Sequence, residues 1–176
     1  MEYKTGSKAK SQGDQKRPEK FSKPISEDLR KFNDIQIEAH NKYRQMHQAE
    51  DVVYDEGLAQ GAQQWAEKLS KEDKFYHSES DERYGAGENL AMYGSSDPND
   101  KTLLTTAYAT DMWYDEVKDY NFGNPGFAMN TGHFTQVVWK GTKKVGFGYA
   151  GNYVVGRYEP SGNMMGDFDT MVLPKN

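Results

Sequence analysis

The stretch that decides the fold is Gly132-His133-Phe134-Thr135-Gln136-Val137-Val138-Trp139-Lys140-Gly141-Thr142. Its β-branched and aromatic residues between His133 and Trp139 predict a short buried strand. A histidine that opens a buried strand is held in place by the fold, unlike a histidine in a solvated loop.

Two more strands are predicted downstream, over Lys144–Ala150 and Tyr153–Tyr158, because both segments are rich in aromatic and β-branched residues. Gly151-Asn152 between them is typical of a tight hairpin turn. The C-terminal part of the chain is therefore expected to form an antiparallel sheet.

Three amphipathic helices are predicted upstream, because apolar residues recur there at three- and four-residue steps. The first begins after Ser26, a suitable cap, the second begins near Asp55, and the third covers residues 102–118. A glycine-containing loop at 84–87 and a turn at 97–100 separate the second helix from the third. The apolar positions are Leu29, Phe32, Ile35, Ala39, Tyr43 and Met46 in the first helix, Leu58, Ala62, Trp65, Ala66 and Leu69 in the second, and Leu103, Ala107, Tyr114 and Val117 in the third.

Helices followed by an antiparallel sheet indicate an α+β domain in which the helices pack on the sheet. The chain has 176 residues and no cysteine. We expect one domain over residues 25–176, preceded by a tail over residues 1–24. A domain of this size buries enough surface to fold without disulfides, and the absence of cysteine suits a reducing compartment.

The charge is unevenly distributed. Residues 1–24 carry seven basic and three acidic residues, so their net charge is +4, whereas the whole chain has a net charge of −5. We expect this tail to be disordered and to add attraction to an anionic membrane surface, with a solvated segment that has no partner as the alternative. The acidic remainder of the chain argues against nucleic acid as a partner.

The beginning of the chain carries no recognisable targeting signal. Met1-Glu2-Tyr3-Lys4 lacks the apolar core of a signal peptide, and Glu2 is not the glycine that N-myristoylation requires. No apolar run approaches the roughly 20 residues that span a bilayer. These features predict an intracellular protein, with a mature secreted chain as the alternative.

A second informative stretch, Tyr153-Val154-Val155-Gly156-Arg157-Tyr158-Glu159-Pro160-Ser161-Gly162-Asn163-Met164, lies near the C-terminus. The two stretches together resemble the two signatures of the CAP superfamily, which groups cysteine-rich secretory proteins, antigen-5 proteins and pathogenesis-related proteins. The second signature normally has a cysteine where this chain has Gly156. The resemblance covers roughly residues 29–174 and implies a three-layer α-β-α sandwich with a central antiparallel sheet and a cleft.

The resemblance also implies a cleft tetrad of His77, Glu88, Glu116 and His133, all present in the family's order. The neutral imidazoles of His77 and His133 are good ligands for a divalent ion such as zinc. The two glutamates would orient them by accepting their other N–H. Two histidines without a thiolate predict a weak site, of micromolar affinity or looser. The alternative is that the four groups satisfy one another without a metal.

Paired histidines and glutamates also permit the activation of a water molecule. The chain contains neither a Gly-x-Ser-x-Gly nor a His-Glu-x-x-His motif, however. We therefore expect a non-enzymatic protein with no catalytic residues. The alternatives are a metal-dependent hydrolase or protease that uses His77, His133 and one glutamate, and a protein-interaction module that forms a homodimer.

An aromatic loop, Tyr120-Asn121-Phe122-Gly123-Asn124-Pro125-Gly126-Phe127-Ala128-Met129, precedes the first signature. It resembles the loop of sterol-binding family members, including relatives of fungal sterol-export proteins. The resemblance implies that a sterol or related lipid contacts Tyr120, Phe122 and Phe127. The alternative is that these aromatic residues only anchor a long loop to the core.

The location is predicted in two ways. The absence of cysteines and of a leader resembles the Golgi-associated branch of the family, which implies an intracellular protein peripheral to endomembranes. The aromatic loop and the signatures resemble secreted fungal members, so an extracellular location is the alternative.

Among the remaining residues, His40 is expected to be a buried structural residue and His47 a surface residue at a helix end. Trp65, Trp113 and Trp139 are expected in the core.

Overall fold

The computed structural model describes residues 24–176, so all but the last residue of the predicted basic tail lies outside the described part. The main helices follow the sequence pattern: Ser26 caps the first through its hydroxyl, and Asp55 caps the second through its carboxylate. In chain order the elements are α1 Glu27–Met46, β1 Val53–Tyr54, α2 Glu56–Glu72, a 3₁₀ turn Asp81–Arg83, β2 Gly87–Met92, α3 Thr102–Thr105, α4 Tyr108–Asp115, a 3₁₀ turn Glu116–Asp119, α5 Gly132–Val137, β3 Lys144–Ala150, β4 Tyr153–Glu159 and α6 Phe168–Met171.

The strands form one sheet in the order β1-β3-β4-β2. β3 and β4 are the predicted hairpin, with Phe147 opposite Gly156, and β2 pairs antiparallel with the other side of β4. The short β1 pairs parallel with β3. The sheet is thus antiparallel except at one edge.

The helix α2 packs directly on one face of the sheet. A Cβ atom at Gly146 would lie 2.1 Å from the backbone nitrogen of Ala59, and one at Gly148 would lie 2.3 Å from that of Gln63. Only glycine at these two positions allows the helix to approach the strand so closely. The apolar contacts on this side come from Ala62, Trp65, Ala66, Leu69, Leu90, Tyr153 and Val155.

The helices α1, α4 and α5 cover the other face, over the larger core. Asn33 of α1 joins the helix to β3, because its amide accepts from Phe147 N at 2.7 Å and donates to Phe147 O at 2.8 Å. The core there includes Trp113 and Trp139, and Trp65 is buried on the α2 side, as predicted. The three-layer α-β-α sandwich is therefore confirmed.

The segment that begins at His133 is not a strand. Residues Gly132–Val137 form the short helix α5, although β-branched and aromatic residues favour a strand. The reason is tertiary: the Glu116 carboxylate accepts the first free N–H groups of the turn, and Asn163 donates to the Gly132 carbonyl. These partners are distant in sequence, so local propensity did not reveal the helix.

The predicted third helix is divided into α3 and α4. The hydroxyls of Thr105 and Thr106 donate to the backbone carbonyls of Lys101 and Thr102, which competes with helix continuation. Thr106 then adopts an extended backbone, and its carbonyl accepts from Gln36 of α1. The helix therefore breaks where α1 supplies an alternative partner.

The strand β2 was not predicted, because its sequence, Gly-Glu-Asn-Leu-Ala-Met, contains no β-branched or aromatic residue. Its pairing with β4 determines its conformation. This strand matters for the site, because it carries Glu88.

One of the two helix-α1 histidine predictions is confirmed and the other is wrong. His40 is fully buried, and its ring bonds to the Gln36 carbonyl and the Tyr158 hydroxyl. Burial lowers the pKa of His40 to about 3, so the ring stays neutral. His47 is not on the surface: it is 1% exposed and bonds to Leu173 O and to the Tyr114 hydroxyl. The C-terminal segment covers it, which a helix-end position alone did not indicate.

Candidate functional site

His77 and Glu88 form the first histidine–glutamate pair of the predicted tetrad. Glu88 lies on β2 with a fully buried side chain, and His77 lies in the segment after α2 with 55% of its side chain exposed. The imidazole Nδ1 is 2.9 Å from Glu88 Oε1. Since a carboxylate only accepts, Nδ1 carries the proton, and Nε2 is the ring nitrogen with a lone pair.

Glu88 is held by more than the histidine. Its Oε1 accepts from Ser78 N at 3.0 Å, and its Oε2 accepts from Ser78 Oγ at 2.6 Å and from Arg157 Nε at 3.2 Å. Burial raises the pKa of Glu88, but the hydrogen bonds from His77 and Ser78 and the charge of Arg157 outweigh that effect, so the pKa lies below its usual value. Glu88 is therefore a fixed carboxylate with both oxygens occupied.

Glu116 and His133 form the second pair. Glu116 Oε2 accepts from His133 Nδ1 at 2.8 Å, while its Oε1 accepts from the backbone nitrogens of His133 at 2.9 Å and Phe134 at 3.0 Å. One carboxylate thus orients the ring and caps the helix that carries it. Both side chains are partly exposed, 33% for His133 and 22% for Glu116.

The two pairs are joined through the residue next to Glu88. Asn89 Nδ2 donates to the His133 carbonyl at 3.2 Å and to the Tyr158 hydroxyl at 3.3 Å. The Tyr158 hydroxyl in turn donates to His40 Nε2 at 2.8 Å. A buried chain of polar side chains therefore links α1, β4 and β2 to the start of α5.

All four predicted tetrad residues are thus present as two oriented pairs. Each imidazole has Nδ1 bound to a carboxylate, which is the arrangement that prepares Nε2 as a metal ligand. Within residues 24–176, however, no group of three or more His, Asp or Glu side chains is placed to hold an ion. An ion shared by His77 and His133 would need water to complete its coordination shell, so zinc binding stays a prediction.

Two residues of this site were missed by the sequence analysis, Arg157 and Ser78. Arg157 is 6% exposed on β4 and forms an ion pair with Glu88. A buried arginine needs acceptors for its guanidinium, and a carboxylate is the strongest of them, so Arg157 in the second signature was a usable signal. Ser78, which directly follows His77, gave no such signal. Its hydroxyl donates to the Glu88 carboxylate and not to the adjacent imidazole.

The aromatic loop is partly pinned and partly exposed. The rings of Tyr120 and Phe122 pack on the core, 5.4 Å from Phe134 and 6.0 Å from His47 respectively. Phe127 is 51% exposed and lies against Gly132 at the start of α5. Within the described residues, the buried hydroxyl of Tyr120 makes no hydrogen bond of good geometry, although the backbone amide of Gly126 approaches it closely enough to oppose the rise in its pKa that burial causes. The loop therefore combines an apolar outer surface with a weakly satisfied polar group beneath it.

A separate groove lies between α1 and α4. It has a volume of about 460 Å³ and is open to solvent. Its lining is mixed, with apolar, aromatic and charged side chains from Ile35, Glu38, Ala39, Lys42, Tyr43, Ala107 and Asp111. Its volume is in the range of small-molecule sites.

No helix among residues 24–176 is both long enough and apolar enough to cross a bilayer.

Comparison with known proteins agrees with this geometry. A sequence model of the cysteine-rich secretory protein family matches residues 37–158. The chain is 41% identical over 152 residues to the Golgi-associated plant pathogenesis-related protein 1 of Homo sapiens, covering 82% of this chain and 94% of that protein. It is 34% identical to the protein PRY2 of Saccharomyces cerevisiae over 151 residues, covering 81% of this chain but 41% of PRY2.

A solved structure described as NaASP2 with Zn²⁺ shares the fold, with a TM-score of 0.62 and 28% identity, covering 88% of this chain and 90% of that one.

This chain differs from the family's usual second signature at Gly156. A Cβ atom there would lie 2.9 Å from the Phe147 ring and 3.2 Å from Trp113, so aromatic rings occupy the space next to that position. The chain belongs to the cysteine-rich secretory protein family, also called CAP.

Proposed function

We propose that this protein is a non-enzymatic lipid-binding protein whose ligand is a sterol or a related lipid. The observation that carries the proposal is the aromatic loop, in which Phe127 is half exposed while the buried Tyr120 hydroxyl is only weakly satisfied, by the approach of the Gly126 backbone amide. A sterol has the matching chemistry, a large apolar body with one hydroxyl. Burial of that body at about 25 cal/mol per Å² is sufficient for micromolar binding after the costs of association.

The three predicted loop residues take different parts in this proposal. Tyr120 and Phe122 hold the loop to the core, and Phe127 supplies the exposed apolar contact. Replacement of Tyr120 by alanine would therefore damage the fold as well as the site. Phe127→Ala removes the contact, and Tyr120→Phe removes only the hydroxyl.

The location that we propose is peripheral to endomembranes, with secretion as the alternative. The similarity to a protein named as Golgi-associated supports the first, and the name of the secretory family supports the second. The proposed attraction of the basic tail to anionic membranes adds to the first, because seven basic residues lie in positions 1–24.

The test is equilibrium binding of a fluorescent sterol to the purified full-length chain, with unlabelled sterol as competitor. We expect saturable, competable binding at micromolar concentration, weakened about tenfold by Phe127→Ala. Ala39→Trp, which fills the α1–α4 groove, is the matched control and should leave the affinity unchanged. If Ala39→Trp abolishes binding and Phe127→Ala does not, the lipid site is the groove and our assignment is wrong.

The absence of enzymatic activity is supported by the way the glutamates are used. The lowered pKa of Glu88 keeps it ionised, and its oxygens are occupied by His77, Ser78 and Arg157, so it has no proton to donate. Glu116 is occupied by the start of α5. A metal-dependent hydrolase remains the competing proposal. That proposal requires the protein to hydrolyse a substrate. The hydrolytic activity must be lost when the metal is chelated and also in the variant His133→Ala.

A second function, weak binding of a divalent ion, is favoured by the orientation of His77 and His133, and by the similarity to a protein whose structure was solved with zinc. The test is calorimetric titration of zinc. We expect micromolar or weaker affinity in the wild-type chain and its loss in both His77→Ala and His133→Ala. Loss in only one variant would show that the histidines do not share an ion.

A further inference from the structure

An exposed apolar surface lies beside the second histidine–glutamate pair. Phe127 and Met129 project from the aromatic loop with 51% and 91% exposure, and Met164 and Met165 project from the loop after β4 with 36% and 81%. We call these four residues the Phe/Met face. Large exposed apolar side chains that occur together mark an interaction surface more often than single ones do.

The two loops that carry the face are tied together at the start of α5. The Phe127 ring lies against Gly132, since a Cβ atom there would be 2.9 Å from that ring. Asn163, the neighbour of Met164, donates to the Gly132 carbonyl at 2.9 Å and accepts from Thr135 Oγ1 at 2.6 Å. These contacts bring the two loops that carry the four side chains together beside Gly132.

The loops differ from the rest of the chain in charge. Asp, Glu, Lys and Arg make up 28% of the sequence, but none of them occurs in residues 120–139 or in residues 160–166. Charged side chains are costly to bring into the apolar part of a membrane, whereas aromatic and methionine side chains are favourable there. The two loops therefore carry no fixed charge of their own, and the neighbouring Glu116 carboxylate is bound to the backbone amides at the start of α5.

We propose that the Phe/Met face inserts into the interface of a zwitterionic lipid bilayer and docks the protein there. This inference rests on the proposed lipid-binding function. If the aromatic loop binds a lipid, docking through the Phe/Met face places that loop at the membrane from which the lipid is taken. It differs from attraction by the basic tail, which requires anionic lipid and weakens with salt. Docking through the face requires neither anionic lipid nor low salt.

The experiment is co-sedimentation of the full-length chain with phosphatidylcholine vesicles, at about 50 mM and about 500 mM salt. The variant is Met129→Gln with Met165→Gln, since these highly exposed side chains contribute little to the folded core. Met92→Gln is the matched control, because Met92 is exposed at 52% on β2. We expect salt-independent binding of the wild type, at least a tenfold lower partition coefficient in the double variant, and no change in the control.

Three results would overturn the inference: no binding of the wild type to these vesicles, equal binding of the double variant, or loss of binding at high salt. Light scattering of the wild type and of the double variant, both without lipid, measures their oligomeric state and provides the remaining check. A wild-type dimer that becomes a monomer in the double variant, with no vesicle binding, would assign the face to self-association instead. Sterol binding measured without vesicles separates the two proposals, because it tests lipid binding whether or not the bilayer is engaged.

Discussion

The two histidine–glutamate pairs share the same hydrogen bond, an imidazole Nδ1–H donated to a carboxylate, but their glutamates are held differently. Glu88 has no exposed side-chain surface and forms an ion pair with the buried Arg157. Glu116 is partly exposed and binds the backbone N–H groups of His133 and Phe134. One glutamate is part of the core, and the other caps a short helix.

The difference shows that similar pairs can depend on the fold to different degrees. Loss of Glu88 leaves a charged guanidinium buried without its carboxylate partner, whereas loss of Glu116 leaves two uncharged backbone amides without their acceptor. We therefore expect the first pair to control stability and the second to control the local position of His133.

The largest expected effect is that of Glu88→Ala. Removal of one partner of a buried ion pair costs about 3–5 kcal/mol, because the other charge stays buried. Urea unfolding followed by tryptophan fluorescence measures the change in the free energy of unfolding. A loss below about 1 kcal/mol would mean that Arg157 finds another partner or water, and the contrast between the pairs would disappear.

The pH dependence of the same comparison tests the ionisation of Glu88. Because its folded-state pKa is lowered, the carboxylate stabilises the fold above the ordinary value of 4.5, and this contribution is lost as the pH falls below 4.5. The stability difference between wild type and Glu88→Gln should therefore shrink on going from about pH 6 to about pH 3. His40 has a folded-state pKa of about 3, so it also makes the fold less stable below pH 6.5. This effect is the same in both proteins and cancels in the stability difference between them. A difference that grows in acid would contradict the assignment.

Glu116→Ala is expected to have an intermediate effect. It removes the acceptor for two backbone amides, a loss comparable to that of a helix cap, about 1 kcal/mol and at most about 2 kcal/mol. Glu116→Gln retains a side-chain oxygen that can accept from the two backbone amides, so it should lose less stability than Glu116→Ala. Hydrogen exchange of the His133 and Phe134 amides in the two variants gives the local readout, and unchanged protection in Glu116→Ala would show that another group caps α5.

The smallest expected effect is that of His77→Ala. Its side chain is more than half exposed, and Glu88 keeps its bonds to Ser78 and Arg157, so we expect a loss within about 0.5 kcal/mol. Thermal unfolding of this variant beside Glu88→Ala provides the comparison. A large loss would show that the histidine, and not the arginine, fixes Glu88.

The sequence predicted the parts of the fold that local pattern determines. The helices α1 and α2, the cap Ser26 and the hairpin of β3 and β4 follow from apolar periodicity, capping preference and turn residues. The helix α5 and the strand β2 were not predicted, because Glu116, Asn163 and the pairing with β4 come from elsewhere in the chain.

The candidate site shows the same limit. The resemblance to the family named the four tetrad residues, and the histidine–glutamate pairing follows from their chemistry. It did not name Arg157 and Ser78, which fix Glu88, or the differing exposure of Tyr120 and Phe127. Such differences depend on which side chains the folded chain places beside each other.

The most direct test of the lipid-binding account compares Phe127→Ala with His133→Ala in one fluorescent-sterol titration, with unfolding curves to confirm that both variants fold. The account predicts about tenfold weaker binding for Phe127→Ala and wild-type affinity for His133→Ala, because apolar contact dominates the affinity of a sterol. Equal losses, or a greater loss in His133→Ala, would contradict it and place the ligand at the histidine–glutamate pairs.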